Sequence, residues 1–201
     1  NTNENKTYDK SYKYMLDRQS VDYFAYSDGE VAFLEIVEKF IEKNFSIKSL
    51  RSNDIPIKGC VSLSSDKKRL LVGDYIPRIG MEGSLKAEGR DIIPSPYTSG
   101  MLDKFLNGKF IPSFETARGC PFQCTFCASH QVHGRKMRFR SPEKVMDEIN
   151  ELRERYGANV FFPDDDLFTA NKTHVKTILR EFHKQCPDCE MQTPVGLSVN
   201  T

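Results

Sequence analysis

From Pro112 onward the apolar positions switch repeatedly between two periods. Phe114 to Ala117 is a short strand-like run that leads into a loop rich in cysteine. Val145, Ile149, Leu152 and Tyr156 then recur at helical spacing and line one face of a helix. Ser141-Pro142-Glu143 starts that helix. The serine is suited to N-cap, the proline to the first helical position, and the glutamate to the positive end of the dipole. Gly157 stops it. Asn159 to Phe162 reads as a strand ending in Pro163-Asp164-Asp165-Asp166. Val175, Ile178, Leu179 and Phe182 mark the next helix, and Met191 to Val199 a third strand. Strands separated by single helices predict parallel pairing through right-handed crossovers.

The N-terminal part is patterned differently. Residues 1–20 are polar and predict a loop or a frayed start. Val21 to Tyr26 is short, apolar and aromatic, hence strand-like. Ser27 and Glu30 have the spacing of a capping box, and Phe33, Leu34, Val37, Phe40 and Ile41 follow at helical spacing until Asn44. Gly59 to Leu63 and Arg69 to Val72, split by Ser64-Ser65-Asp66-Lys67-Lys68, predict a hairpin. Prolines and glycines then punctuate an irregular connector in which Met101 to Leu106 predicts one short helix.

Composition narrows the function classes. The 201 residues carry a net charge of +1, with 29 basic against 28 acidic side chains. That balance gives no basic footprint for nucleic acid. No apolar run approaches the ~20 residues that span a bilayer. Three of the six cysteines are tightly spaced, which favours metal binding in a reducing, cytoplasmic compartment over disulfides. The chain starts at Asn1 and stops at Thr201 just after a strand-like stretch, so an internal fragment is expected.

The chemistry is concentrated in Arg118-Gly119-Cys120-Pro121-Phe122-Gln123-Cys124-Thr125-Phe126-Cys127. Thiolates are the usual protein ligands of iron–sulfur clusters, and gaps of three and two residues let one loop wrap one face of a cubane. Three thiolates leave a fourth iron open for another ligand. A second Cys-x-x-Cys, Cys186 to Cys189, leaves room for a different reading: a non-catalytic zinc module in which Cys124, Cys127, Cys186 and Cys189 form a tetrahedral site.

The loop resembles the CxxxCxΦC signature of the radical S-adenosylmethionine (SAM) superfamily, with Phe126 as the aromatic Φ. Ile93-Pro94-Ser95-Pro96-Tyr97, Glu115 to Pro121, Arg140 to Glu143 and Asp164 to Phe168 are similar to the subgroup that carries an N-terminal cobalamin-binding domain. The resemblance implies that Cys120, Cys124 and Cys127 hold a [4Fe–4S] cluster and that SAM chelates its open iron. Phe126 then lies near the adenine, and Asp165 and Asp166 are the carboxylates that face SAM. Reductive cleavage of SAM yields a 5′-deoxyadenosyl radical, with an electron from a donor such as flavodoxin or ferredoxin. Cobalamin would join in the full-length protein. The fold implied is α/β, in three parts. Residues 1–48 are the C-terminal remnant of a Rossmann-like domain, 49–110 a linker with a β-hairpin, and 111–201 the first half of a partial (β/α)6 barrel. A methylthiotransferase is a second enzyme reading. It needs further cysteines upstream, and residues 1–110 hold Cys60 alone.

The remaining polar residues read as ordinary. His130 and His133 are expected near solvent. Arg135, Lys136, Arg138 and Arg140 are expected as a solvated basic face, Cys186 and Cys189 as a plain loop, and Cys60 as a small core residue.

Overall fold

Helix α1 (Thr2–Asp17) occupies the stretch whose polar sequence predicts a loop. Tertiary packing overrides the local signal: Met15 is buried and, with Tyr12, lies against Val61, Leu63 and Leu70. This is a computed structural model. It describes residues 2–18, 20–26, 28–81, 95–106, 111–194 and 197–198, and of residues 2–9 the backbone alone. The chain divides into two compact units, Asn1–Arg78 and Ile79–Thr201.

In the first unit, strand β1 (Tyr23–Ala25) is followed by α2 (Gly29–Glu42), the short α3 (Ile47–Arg51), and a hairpin of β2 (Cys60–Leu63) and β3 (Leu70–Val72). The hairpin is where the pattern put it. Its turn is closed by Asp66, which accepts from the Ser64 hydroxyl at 2.6 Å and from the Lys68 N–H at 3.0 Å. The three strands form one sheet in the order β1-β2-β3, antiparallel throughout. Strand β1 of the expected Rossmann-like remnant and the expected linker hairpin therefore share one antiparallel sheet. Locally, the Tyr26 N–H donates to Gly59 O at 3.0 Å and the Tyr26 hydroxyl to Gly73 O at 2.7 Å, which holds β1 against the hairpin. Helix α2 takes Asp28 as N-cap without a side-chain cap bond, and the expected box turns on Ser27. Ser27 lies outside the described residues. Asn44 follows the helix end with φ 53°, as its stop role requires. Cys60 is buried with Ala32, Leu50, Ile57 and Ile76, and burial pushes its thiol up to about 11.

In the second unit, β4 (Ser113–Phe114), β5 (Ala117–Arg118), α4 (Ser129–Val132), β6 (Arg138–Phe139) and α5 (Pro142–Tyr156) lead to β7 (Val160–Pro163). A 3-10 turn (Phe168–Ala170), α6 (Lys172–Gln185) and β8 (Glu190–Met191) complete it. Strands β4, β7 and β8 are parallel, in that order, with α5 and α6 as the crossovers. Val145, Ile149 and Leu152 of α5 meet Phe161 of β7 and Ile178 and Phe182 of α6 in the core. Each such buried side chain contributes about 1.5–3 kcal/mol.

The ends of α5 follow the sequence. Ser141 Oγ accepts from the Lys144 N–H at 3.3 Å, Pro142 opens the helix, and Gly157 ends it at φ 67°. Ser141→Ala is expected to lower stability by about 1 kcal/mol, read as a shift in denaturation midpoint. Strand β8 is shorter than expected, because pairing with β7 stops at Met191 apart from the Gln192 N–H to Phe161 O bond at 3.0 Å. Residues 195, 196 and 199–201 lie outside the described residues. The helix expected at Met101 to Leu106 is a run of turns instead. Gly100 is left-handed at φ 76°, and Asp103 is pulled onto α5 by Arg155 at 2.7 Å and by the Tyr156 hydroxyl.

Candidate functional site

The strand-like run Phe114 to Ala117 is broken in two, and the break builds the site. Strand β4 pairs with β7 in the parallel sheet, whereas β5 pairs antiparallel with β6. The elbow between them, at Glu115 and Thr116, turns its N–H groups onto one side chain, Asp165. Asp165 Oδ1 accepts from the Thr116 N–H at 2.6 Å and the Ala117 N–H at 3.0 Å, and Oδ2 accepts from the Thr116 hydroxyl. Asp165 is only 1% exposed. Burial raises its carboxyl above the usual carboxylate range, against the opposing pull of these donors.

Beyond β5 the chain makes the excursion that holds the three cysteines and returns as β6. The excursion is closed at its base by the β5–β6 pair and by the Cys120 N–H donating to Gly134 O at 3.1 Å. Gly119 sits there at φ 107°, and a Cβ would stand 2.9 Å from Lys136 O. The room this glycine gives is therefore for the returning strand. Within the loop the Cys127 N–H donates to Cys124 O at 3.1 Å. Cys124 is exposed, and Cys120 and Cys127 are half-buried. Ser129 Oγ lies 3.3 Å from Cys127 Sγ, and the Ser129 hydroxyl and N–H hold that thiol below its ordinary value. A ligand thiol has to give up its proton, so this bias suits ligation. Phe126 stands 91% exposed and Phe122 is exposed beside it.

The three consecutive aspartates diverge. Asp164 is exposed, and its N–H donates to Phe114 O at 2.8 Å. Asp165 is the brace just described, and three of the roughly four acceptor sites of its carboxylate are used by the elbow. Asp166 points differently. Its Oδ2 is buried without a hydrogen-bond partner among the described residues, and its charge acts on the Cys127 thiol. An unpartnered buried carboxylate oxygen is costly unless a donor is brought to it.

The basic run is split in the same way. Arg135 and Lys136 are exposed as expected. Arg138 and Arg140 are turned inward and anchor backbone instead. Arg138 donates to His133 O at 2.9 Å and to Ile79 O; Arg140 donates to Glu115 O at 3.0 Å and pairs with the buried Glu148. Glu148 gives no signal in the sequence beyond its helical position. His130 lies in α4 and His133 caps it, both half-buried. A cavity of about 620 Å³ is lined by Ser95, Tyr97, Arg118, Arg140 and Glu148 among others, and no cysteine of the loop lines it.

The second cysteine pair stands at the other end of the sheet. The loop of Cys120 to Cys127 leaves the C-terminal end of β4, whereas Cys186 and Cys189 precede the N-terminal end of β8. In a parallel sheet those ends are a strand length apart, on the order of 10 Å, too far for one tetrahedral zinc with bonds of about 2.3 Å. Among the described residues no three His, Cys, Asp or Glu side chains form a single-ion site, and that holds for Cys120, Cys124 and Cys127 as well. It is the separation of the two cysteine pairs that disfavours the shared zinc site.

The family model for the radical SAM superfamily matches residues 114–182. Residues 114–182 belong to the radical SAM superfamily. This radical SAM segment starts in β4 and ends in α6, and so includes the whole cysteine excursion and the aspartate turn. The chain is 28% identical over 190 residues to cytidylyl-2-hydroxyethylphosphonate methyltransferase of Streptomyces wedmorensis, covering 85% of this chain and 34% of that protein. It is 31% identical over 160 residues to an uncharacterised methyltransferase of Pyrococcus horikoshii, covering 79% and 31%. The chain thus spans about a third of the length of these relatives. Among solved structures it is similar in fold to OxsB, a cobalamin-dependent SAM radical enzyme with aqua-cobalamin and SAM bound. That match has a TM-score of 0.57 and 16% identity, over 90% of this chain and 24% of that one. No helix among the described residues is long and apolar enough to cross a membrane.

Proposed function

We propose that this chain is part of a radical SAM enzyme whose full-length form uses cobalamin, with methyl transfer as its reaction class. The observation that carries the reading is local. Three cysteines sit on one excursion from the end of a parallel strand, and beside them the buried Asp166 Oδ2 lacks a partner. The donor set fits an iron–sulfur cluster: Cys120, Cys124 and Cys127 supply three thiolates and leave one iron free. When bound, the cluster and SAM together supply reductive C–S cleavage to a 5′-deoxyadenosyl radical.

The chain's own residues do the positioning. Asp165 bends the strand so that the excursion starts at the right place. Ser129 favours the Cys127 thiolate. Asp166 accepts from the SAM ammonium group, and Phe126 covers the adenine. Exposed Arg135 and Lys136 suit an acidic one-electron donor of the flavodoxin or ferredoxin type. The two sequence relatives named above are methyltransferases, which supports that reaction class, and their greater length leaves room for a cobalamin domain and further barrel strands. The parallel β4-β7-β8 sheet is then the first half of the barrel.

The test is anaerobic reconstitution of the full-length protein with iron and sulfide, beside a Cys120/Cys124/Cys127→Ala variant. The expected result is a cluster near four irons per chain whose EPR signal changes with SAM and which the variant lacks. A colourless protein holding one zinc, unaffected by Cys120→Ala alone, would falsify the reading.

A further inference from the structure

The radical SAM reading leaves Cys186 and Cys189 unused, and their geometry is specific. The Cys189 N–H donates to Cys186 O at 3.1 Å, which closes the turn Cys186-Pro187-Asp188-Cys189. A turn of this kind brings its first and last Cα atoms within about 7 Å. Disulfides need a Cα separation of about 4.4–6.8 Å, so the backbone is already in range. The turn is also held in place. Asp188 pairs with Arg153 of α5 at 2.7 Å, and Arg153 donates to Gln185 O at 3.2 Å. Cys186 packs at 1% exposure in the core of α5 and α6, with its sulfur 3.5 Å from Asn150 Oδ1, while Cys189 is half-buried at the surface.

We infer that Cys186 and Cys189 form a reversible dithiol–disulfide couple, with Cys189 attacking a small-molecule disulfide and Cys186 resolving it. The roles follow from placement. Cys189 is the sulfur a reagent can reach, and Cys186 is shielded behind it. The neighbouring Cys186 thiol and the Arg153 guanidinium both favour the Cys189 thiolate. Burial holds both thiols above their ordinary value, so the resting pair is protonated. In the first step the Cys189 thiolate attacks the disulfide RSSR, forming a mixed disulfide and releasing RS⁻. The Cys186 thiolate then attacks the Cys189 sulfur and expels the second RS⁻. Two cysteine thiols are oxidised, one RSSR is reduced to two RSH, and the two cysteine protons pass to the released thiolates. This couple stands at the end of the sheet away from the cysteine loop, so it does not depend on the cluster reading.

The test uses the full-length protein, treated anaerobically with glutathione disulfide, blocked by alkylation and digested for mass spectrometry. The expected product is a peptide that has lost the mass of two hydrogens across Cys186 and Cys189 and regains it with dithiothreitol. In Cys186→Ser, glutathione is expected to accumulate on Cys189. In Cys189→Ser, Cys186 is expected to stay unmodified. The inference is overturned if both thiols of the wild-type protein remain alkylatable after treatment, or if the adduct collects on Cys186 instead. Iron content measured in parallel reports on the cluster separately.

Discussion

Asp165→Ala is expected to cost on the order of 3–6 kcal/mol and to leave the full-length protein largely insoluble or unfolded in its radical SAM segment. The variant strips partners from the Thr116 and Ala117 N–H groups and from the Thr116 hydroxyl, all at the elbow between β4 and β5. An unsatisfied buried polar group costs about 1–3 kcal/mol, and a whole domain is stable by only about 5–15 kcal/mol. Asp165→Asn has a different expected outcome. Its amide oxygen still accepts from both N–H groups, and its amide nitrogen can donate to the Thr116 oxygen. It also removes a buried carboxylate whose charged form is disfavoured by desolvation. The asparagine variant is therefore expected to match or exceed the wild type in denaturation midpoint at neutral pH.

The two proteins should also differ in pH dependence. Because the folded carboxyl binds its proton more tightly than the unfolded one, the folded state holds more protons between the two values. Stability from this group is full below the unfolded carboxylate value of about 3.9 and is lost as pH rises through the raised folded value. The asparagine variant should lack that slope. Equal losses in both variants, with an unchanged slope, would show that the brace is steric rather than hydrogen-bonded.

This brace also marks the limit of what a sequence shows. The helices of the second unit were legible because their signals are local: Ser141, Pro142 and Gly157 fix the ends of α5, and Val175, Ile178 and Phe182 fix the buried face of α6. The three cysteines were legible because their spacing is itself the chemistry. The division of labour among Asp164, Asp165 and Asp166 was not, since identical side chains in a row carry no information about which one meets the elbow 49 residues earlier at Thr116. Helix α1 and the antiparallel pairing of β1 were hidden for the same reason. Both depend on the hairpin at Cys60 to Val72, far along the chain from the segments it organises. Arg138 and Arg140 looked like surface because charge alone does not show that Ile79, Glu115 and Glu148 wait for them.

Asp166→Asn is expected to separate SAM binding from cluster assembly. The substitution keeps the shape of the side chain and leaves the three cysteines and the Asp165 brace untouched, so iron content after reconstitution should stay at the wild-type level. What it removes is the charge at an oxygen that is buried without a partner among the described residues. A hydrogen bond to a charged group contributes about 1.5–3 kcal/mol, which corresponds to a roughly ten- to hundredfold rise in the SAM concentration needed to perturb the EPR signal. The charge also acts on Cys127, where it opposes the Ser129 hydroxyl. Its loss should therefore favour the Cys127 thiolate, and cluster retention should not suffer. A variant that responds to SAM at the wild-type concentration would remove Asp166 from the SAM site while leaving the cluster assignment standing. A variant that loses iron would instead make Asp166 a support for the cysteine loop.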